Sequence, residues 1–322
     1  PKTNYNWGYD SAQFIALEGS YSLNPKDPYS RMIEFKKLVK EYHDAGIRVN
    51  LDVVYNHMYD SKNNPLENVV PYYYFRYGEW DLLSNGSYCG NDLESRQPMV
   101  KHLFVVALKT LLNLYNVDGY RFDLMGILDV QTMNIIDKEL RKLKSNIMIY
   151  GEGWDLPTAL GPEEKARIFN QYQMDNIAHF NDTFRDAIRG DNSPSWGYIN
   201  CDAHNRDKAW SVIEGLKGSI YTITKLPRES INYVSAHDNY TLWDQIEKSM
   251  DCNIENGQYQ NIRDKNIFEN YKVRQLVLGV GIILTAQGIP FLHSGVEFLR
   301  SKQGDHNSYR SLDKINKINW AD

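Results

Sequence analysis

Two short stretches of this 322-residue sequence set acids where a proton-transfer reaction could use them. In YRFDL (120–124), Arg121 and Asp123 are two residues apart, so on a strand both side chains leave the same face. A guanidinium beside a carboxylate favours the ionised form, which suits an attacking group. The same pair is also a common structural ion pair, and the pair alone does not choose between the two. Glu152 follows the apolar run IMIYG (147–151) and lies between Gly151 and Gly153. Glycines let a ligand come close to the backbone, and a carboxyl at the end of an apolar strand is costly to bury without a purpose. One bare carboxylate and one that can hold a proton make a nucleophile and a general acid. His57 and the pair His237-Asp238 are weaker signals, each readable alone as a loop histidine or a turn. No HxH, HxxxH or cysteine spacing supports zinc.

The elements that must carry these residues follow from periodicity. Met32, Phe35, Leu38, Val39 and Tyr42 recur at helical spacing in 29–45, and Gly46 is the expected stop. IRVNLDVV (47–54) is rich in β-branched residues and reads as a strand. A long loop, 58–93, is dense in Tyr, Asn, Gly and Pro, and its triplet Tyr72-Tyr73-Tyr74 reads as core with one ring exposed. Further on, helices are expected at 96–116, 129–144, in pieces over 182–217, and near 265–286. Strands are expected at 120–124, 147–151, 177–181, 231–235 and 289–293. Short apolar strands alternating with amphipathic helices predict an α/β fold with a parallel sheet and helices outside it.

The polar residues then fall at strand ends. Strand 47–54 runs into Asn56-His57, 120–124 carries Arg121 and Asp123, 147–151 ends in Glu152 with Trp154 beyond, and 231–235 ends in His237-Asp238. A parallel barrel gathers function at that rim. Paired carboxylates among aromatics, with His57, Arg121, His237 and Asp238 able to meet sugar hydroxyls, fit glycoside hydrolysis. Twenty-three tyrosines agree with a surface that handles sugars or peptides, or with core packing. The net charge of −5, with acids and bases interspersed, gives no sign of a nucleic-acid or membrane partner. No apolar run is long enough to cross a bilayer. Cys89, Cys201 and Cys252 are too scattered for a metal site and read as free thiols.

DVVYNH (52–57), GYRFDLMG (119–126), GEGWD (151–155) and SAHDN (235–239) resemble the four ordered motifs of the α-amylase superfamily of glycoside hydrolases. YNWGYD (5–10) resembles the signature of type I pullulanases, its α-1,6-debranching members, and GIPFLHSGVEFLRSKQGDHNSY (288–309) is similar to the last barrel strand and its loop. The resemblance implies a retaining mechanism on a (β/α)8 TIM barrel and an α-glucan substrate: pullulan, limit dextrin, starch or glycogen. It implies Asp123 as nucleophile, Glu152 as general acid/base and Asp238 as the third carboxylate, stabilising the transition state through sugar hydroxyls. Arg121, His57 and His237 match sugar-site residues, Tyr9 the ring under the cleaved glucose with Asp10 nearby, and Trp154 the aromatic beside the acid. No cofactor is required; calcium at Asn56, as in some amylases, is not expected.

Ser11, Leu17 and Val296 depart from the usual pullulanase pattern at positions that are not catalytic. In the family YNWGYD follows barrel strand 2, so residues 1–322 are expected to be a partial catalytic barrel, about six of eight strands, without the N-terminal modules and the C-terminal β-sandwich. Such a piece is expected to be unstable alone, with open sheet edges. The natural N-terminus is expected upstream, so the compartment, cytoplasmic or secreted, is not read from it. Two alternatives stand beside debranching: an isoamylase-like or α-1,4-acting relative, and a non-catalytic glucan-binding one.

Overall fold

The computed structural model describes residues 7–200, 206–250 and 267–320. Its sheet holds six strands in chain order: β1 (Asn50–Val53), β2 (Gly119–Phe122), β3 (Met148–Gly151), β4 (Ile177–Phe180), β5 (Ser230–Asn232) and β6 (Ile289–Pro290). The pairs β1–β2, β2–β3, β3–β4 and β5–β6 are parallel. The helices are α1 (Pro28–Asp44), α2 (Pro65–Val69), α3 (Pro98–Tyr115), α4 (Val130–Arg141), α5 (Asp182–Arg189), α6 (Arg206–Leu216), α7 (Leu242–Met250), α8 (Tyr271–Thr285) and α9 (Asp313–Asn316). Only a 3-10 helix, Ile168–Gln173, stands between β3 and β4. The chain divides into two compact units, Gly8–His179 and the described residues from Phe180 on together with Trp7.

In the first unit, local chemistry sets the helix ends. The Asp27 side chain accepts from the Tyr29 N–H at 2.9 Å, Pro28 takes the first helical position, and Gly46 at φ 75° closes α1. Its apolar stripe is wider than the face it buries: Val39 is buried and Met32 and Phe35 are partly so, whereas Leu38 and Tyr42 remain exposed. α3 ends at Asn116 in the left-handed region, φ 53°. Asp129 caps α4 by accepting from the Thr132 N–H at 2.9 Å. Phe104, Leu108 and Leu111 of α3 and Met133 and Ile136 of α4 pack with Tyr120, Phe122 and Ile149 of the strands. Burial of each such side chain contributes about 1.5–3 kcal/mol. Tyr73 and Tyr74 pack on this core while Tyr72 stays exposed.

The second unit has its own core, in which Phe184 and Ile188 of α5, Leu242, Trp243 and Ile246 of α7, and Leu276 and Ile283 of α8 meet. α7 was not expected from the sequence. Its stretch LWDQIEKSM buries Asp244, Gln245 and Glu247 along with its apolar residues, so polarity masks the helical face. Asn181 starts α5 by accepting from the Phe184 N–H at 3.0 Å, and its amide donates to Ser219 and Ser230.

The strands are shorter than the sequence predicts: β1, β2, β4, β5 and β6 end early, at Val53, Phe122, Phe180, Asn232 and Pro290, and β3 starts one residue late at Met148. Near the site the ladder nonetheless runs one bond further. The Asp123 N–H donates to the Val53 carbonyl at 3.0 Å and the Glu152 N–H to the Phe122 carbonyl at 3.1 Å. Both acids thus sit on the first residue after a strand, still held by sheet hydrogen bonds. Among the described residues no helix is long and apolar enough to cross a membrane. Cys89 is a free, exposed thiol; Cys201 and Cys252 lie outside the described residues, as do Tyr5 and Asn6 of the YNWGYD stretch and residues 265–266 of the expected helix.

Candidate active site

In the Gly8–His179 unit the site is built around one guanidinium. Arg121 leaves the middle of β2, and its Cα partner across the parallel ladder is Asp52 of β1. Nη1 of Arg121 donates to both Asp52 oxygens, at 2.8 and 3.0 Å, and to Asp123 Oδ1 at 3.2 Å. Nη2 pairs with Glu152 Oε1 at 2.6 Å. The two predicted catalytic carboxylates therefore share one cation. Burial opposes the charge on Arg121, yet Glu152, Asp52, Tyr9 and Asp123 hold its pKa well above the ordinary arginine value. It stays charged throughout, which is the condition for anchoring several acids.

Each acid has a second anchor. The Leu124 N–H donates to Glu152 Oε2 at 3.0 Å, and Leu124, at φ 41°, turns the chain out of the sheet. Asn56 Nδ2 donates to Asp123 Oδ2 at 2.8 Å and to the Asp123 carbonyl at 2.9 Å. With its amide nitrogen so engaged, Asn56 turns Oδ1 toward His57 Nδ1, 2.5 Å away, which fixes Nδ1 as the donor. His57 is buried, and burial lowers its pKa against the pull of Asp10, Asp92 and the Tyr9 carbonyl.

Tyr9 donates its hydroxyl to Asp52 Oδ2 at 2.6 Å, and the Arg121 guanidinium lies 5.8 Å from its ring centroid. Burial, then the negative charge of Asp52, pushes the phenol pKa far up, so Tyr9 remains a donor. Asp10 is exposed and Trp154 half-buried. The glycines beside Glu152 serve packing rather than an approaching ligand. A Cβ on Gly153 would fall 2.1 Å from His179 Cδ2, and one on Gly151 would fall 2.5 Å from the Phe122 carbonyl oxygen. The room expected at that backbone is taken by the protein itself.

The other unit carries His237 and Asp238, in the stretch between β5 and α7. His237 Nε2 lies 3.5 Å from Asp238 Oδ2. The Trp7 ring meets His237 edge-on, centroids 4.8 Å apart. Sequence reasoning singled out neither Asp52 nor Lys302, whose ammonium donates to the His237 carbonyl at 2.8 Å. The β1–β2 register would have found Asp52, since parallel alignment sets it beside Arg121. It also passed over Asn56 as an anchor, having weighed it only as a calcium ligand.

A six-stranded parallel sheet alternating with helices, with acids at the carboxyl ends of its strands, is consistent with a partial TIM barrel. A pullulanase from Paenibacillus barengoltzii, solved in complex with maltohexaose and α-cyclodextrin, superimposes with a TM-score of 0.90 at 37% identity, over 99% of this chain and 48% of that one. Type I pullulanase from Bacillus subtilis, solved with maltose, gives 0.89 at 42% identity over 98% and 43%. In sequence, the chain is 42% identical to the pullulanase of Bacillus subtilis strain 168 over 99% of its length and 43% of the relative's. It is 32% identical to chloroplastic pullulanase 1 of Arabidopsis thaliana over 98% and 37%. No family model matches the chain. The chain is homologous over nearly its whole length to pullulanases, glycoside hydrolases of the α-amylase family. It spans less than half the length of these relatives.

Proposed function

We propose that this chain carries the machinery of a retaining hydrolase for α-1,6-glucosidic branch linkages, as in pullulan, limit dextrin, starch or glycogen. The observation that carries the reading is the pairing of Asp123 and Glu152 with the two amino groups of Arg121, on neighbouring strands of one parallel ladder. Asp123 attacks the anomeric carbon while Glu152 gives its proton to the departing glycosidic oxygen. Glu152 then takes a proton from water, the water oxygen bonds to the anomeric carbon, and the ester to Asp123 breaks. A retaining pair needs its carboxyl groups about 5–5.5 Å apart, a spacing that joint attachment to one guanidinium supports.

Glu152 must carry a proton for the first step, yet its contacts with Arg121 and the Leu124 N–H are contacts to a carboxylate. Bound sugar must exclude water and weaken the Arg121 contact for the acid form to be held. Tyr9 supplies the ring for one glucose, and His57, with Nδ1 committed to Asn56, addresses its hydroxyls. Asp238 and His237 act as the third carboxylate and its neighbouring donor, with Asp10 and Trp154 lining the sugar path. This chemistry needs two carboxylates and water, and no cofactor is assigned.

Product analysis on pullulan with the complete natural protein tests the linkage. Maltotriose is expected; panose would mean α-1,4 cleavage, and no product would favour a binding relative. Glu152→Gln should lower kcat about 10²- to 10⁴-fold while sugar binding, read by titration calorimetry, persists. Unchanged turnover would remove Glu152 from the acid role.

A further inference from the structure

Asp238 stands on backbone that neither strand nor helix supports. β5 ends at Asn232, α7 begins at Leu242, and Asn239 next to Asp238 is in the left-handed region at φ 58°. A carboxylate that meets sugar hydroxyls must nonetheless be fixed to within a fraction of an ångström. The side chain is about half exposed, at 48%, so packing around it is partial.

The support comes from Lys302, a residue that is 1% exposed. Its Nζ donates to the carbonyl of His237, the residue directly before Asp238, at 2.8 Å. The same ammonium lies 6.0 Å from the centroid of the Trp7 ring, whose plane meets the His237 ring edge-on and which also meets the Tyr309 ring, centroids 6.3 Å apart. Lys302 is itself fixed at its backbone. Its N–H donates to Asp244 Oδ2 at 2.8 Å and the neighbouring Ser301 hydroxyl to Asp244 Oδ1 at 2.5 Å. Asp244 is fully buried in the first turn of α7.

Burying an ammonium is costly, and an apolar side chain would fill the space with less penalty. Burial lowers the Lys302 pKa to about 8, against the opposing pull of Asp238, Asp244 and Asp305. What the ammonium provides and a methionine could not is a charged donor for one specific carbonyl, with a positive charge close to Asp238.

We propose that Lys302 is a positioning residue for Asp238, holding the His237 carbonyl so that the carboxylate projects at a fixed place and angle. The inference rests on the reading of Asp238 as the third carboxylate. It also accounts for the tryptophan of the YNWGYD stretch, which forms the aromatic wall of the ammonium clamp.

The test is steady-state kinetics on pullulan with the complete natural protein. Lys302→Met is expected to lower kcat about 30- to 100-fold with KM changed less than threefold, at a temperature where circular dichroism shows the variant folded. A folded Lys302→Met with wild-type kcat overturns the proposal. If that variant does not fold, Asp244→Asn carries the test, because it loosens the Lys302 backbone and leaves the ammonium in place. About a five- to tenfold loss of kcat at constant KM supports positioning, and wild-type kcat overturns it. In the double variant with Asp238→Asn, Lys302→Met should add nothing, since it acts only through that carboxylate; multiplied losses overturn it. Asp238→Asn with wild-type turnover ends both the reading and the inference. Asp238→Asn without turnover, beside normal Lys302→Met, ends the inference alone.

Discussion

The two units hold the acids proposed for catalysis by opposite means. In Gly8–His179, Asp123 and Glu152 are gripped at the carboxylates, by Arg121 and by Asn56 and the Leu124 N–H. In the other unit Asp238 is half exposed, and the grip is on the main chain before it, through Lys302 and the His237 carbonyl. The difference matches the roles proposed for them. A nucleophile and an acid must be set in charge and place before the sugar arrives, so fixed counter-charges are useful. A carboxylate that accepts from sugar hydroxyls must leave its oxygens open, so the backbone is the part that can be held.

The largest expected effect breaks the grip on the first pair. Arg121→Lys keeps the charge and loses the fork. One ammonium cannot serve Asp52 and Asp123 on one side and Glu152 on the other as Nη1 and Nη2 do. We expect kcat on pullulan to fall about 10²- to 10³-fold, measured in the complete natural protein with folding checked by circular dichroism. A loss under threefold would mean that charge alone, not the two-handed geometry, matters in this unit.

The second prediction compares the units through pH. Each contains a deeply buried histidine whose pKa falls far below the ordinary value, His179 in the first and His293 in the second. His179, held down by burial, has its pKa lowered to about 4. His293, held down by burial and then by the positive charges of Arg300 and Lys302, is lowered to about 3. In the unfolded chain a histidine titrates near 6.5, so between that pH and the folded value the unfolded state binds more protons. Stability from each is complete above about pH 6.5 and falls as pH drops toward 4 for His179 and 3 for His293. For His179 the loss over this window is about 3 kcal/mol. Urea titrations at pH 7 and pH 4.5 should show it, and His179→Gln should flatten that slope. An unchanged slope in the variant would place the acid sensitivity of this window in another group, and Asp118 is not the candidate. Lys144, the Val49 N–H and His43 hold the Asp118 carboxyl below the usual range despite its burial, so its contribution is lost only below about pH 4.

How much of this was legible in the sequence also differs between the units. Strand order, the main helices and the acids at strand ends followed from periodicity, because apolar alternation and β-branched runs are local signals. Asp123, Glu152 and Arg121 stood out through type and spacing, His57 only through its place after a strand and the family resemblance, and the fold brings the first three onto one ion-pair network with His57 linked to it through Asn56. Asp52 did not, because its role comes from the register of β1 against β2, which no local pattern encodes. Lys302 was invisible for a stronger reason. Its partner is a backbone carbonyl 65 positions away, and a carbonyl has no residue type to read. α7 escaped because buried Asp244, Gln245 and Glu247 give its inner face the look of a surface. Gly151 and Gly153 point the wrong way from sequence alone, toward room for a ligand, when their neighbours His179 and Phe122 use the space.

The smallest effect sharpens the comparison where the grip is outermost. The Tyr9 hydroxyl donates to Asp52 Oδ2 at 2.6 Å and accepts from Arg121 Nη1 at 3.3 Å, while its ring, 5.8 Å from the guanidinium, is the part proposed to meet sugar. Tyr9→Phe keeps the ring and removes the hydrogen bond to Asp52, a charge-assisted contact worth about 1.5–3 kcal/mol at most in a buried setting, together with the longer one from Arg121. Asp52 is 41% exposed at its side chain and keeps both bonds from Arg121, so water can replace the lost donor and the effect should be smaller. We expect kcat/KM on pullulan to fall about three- to tenfold, with most of the change in KM, because the ring is displaced rather than the acids. Tyr9→Ala should lose the stacking surface as well and fall further. If Tyr9→Phe instead cost as much kcat as Arg121→Lys, the phenol would belong to the charge network itself. The first unit would then hold its acids by several groups acting together, not by one cation.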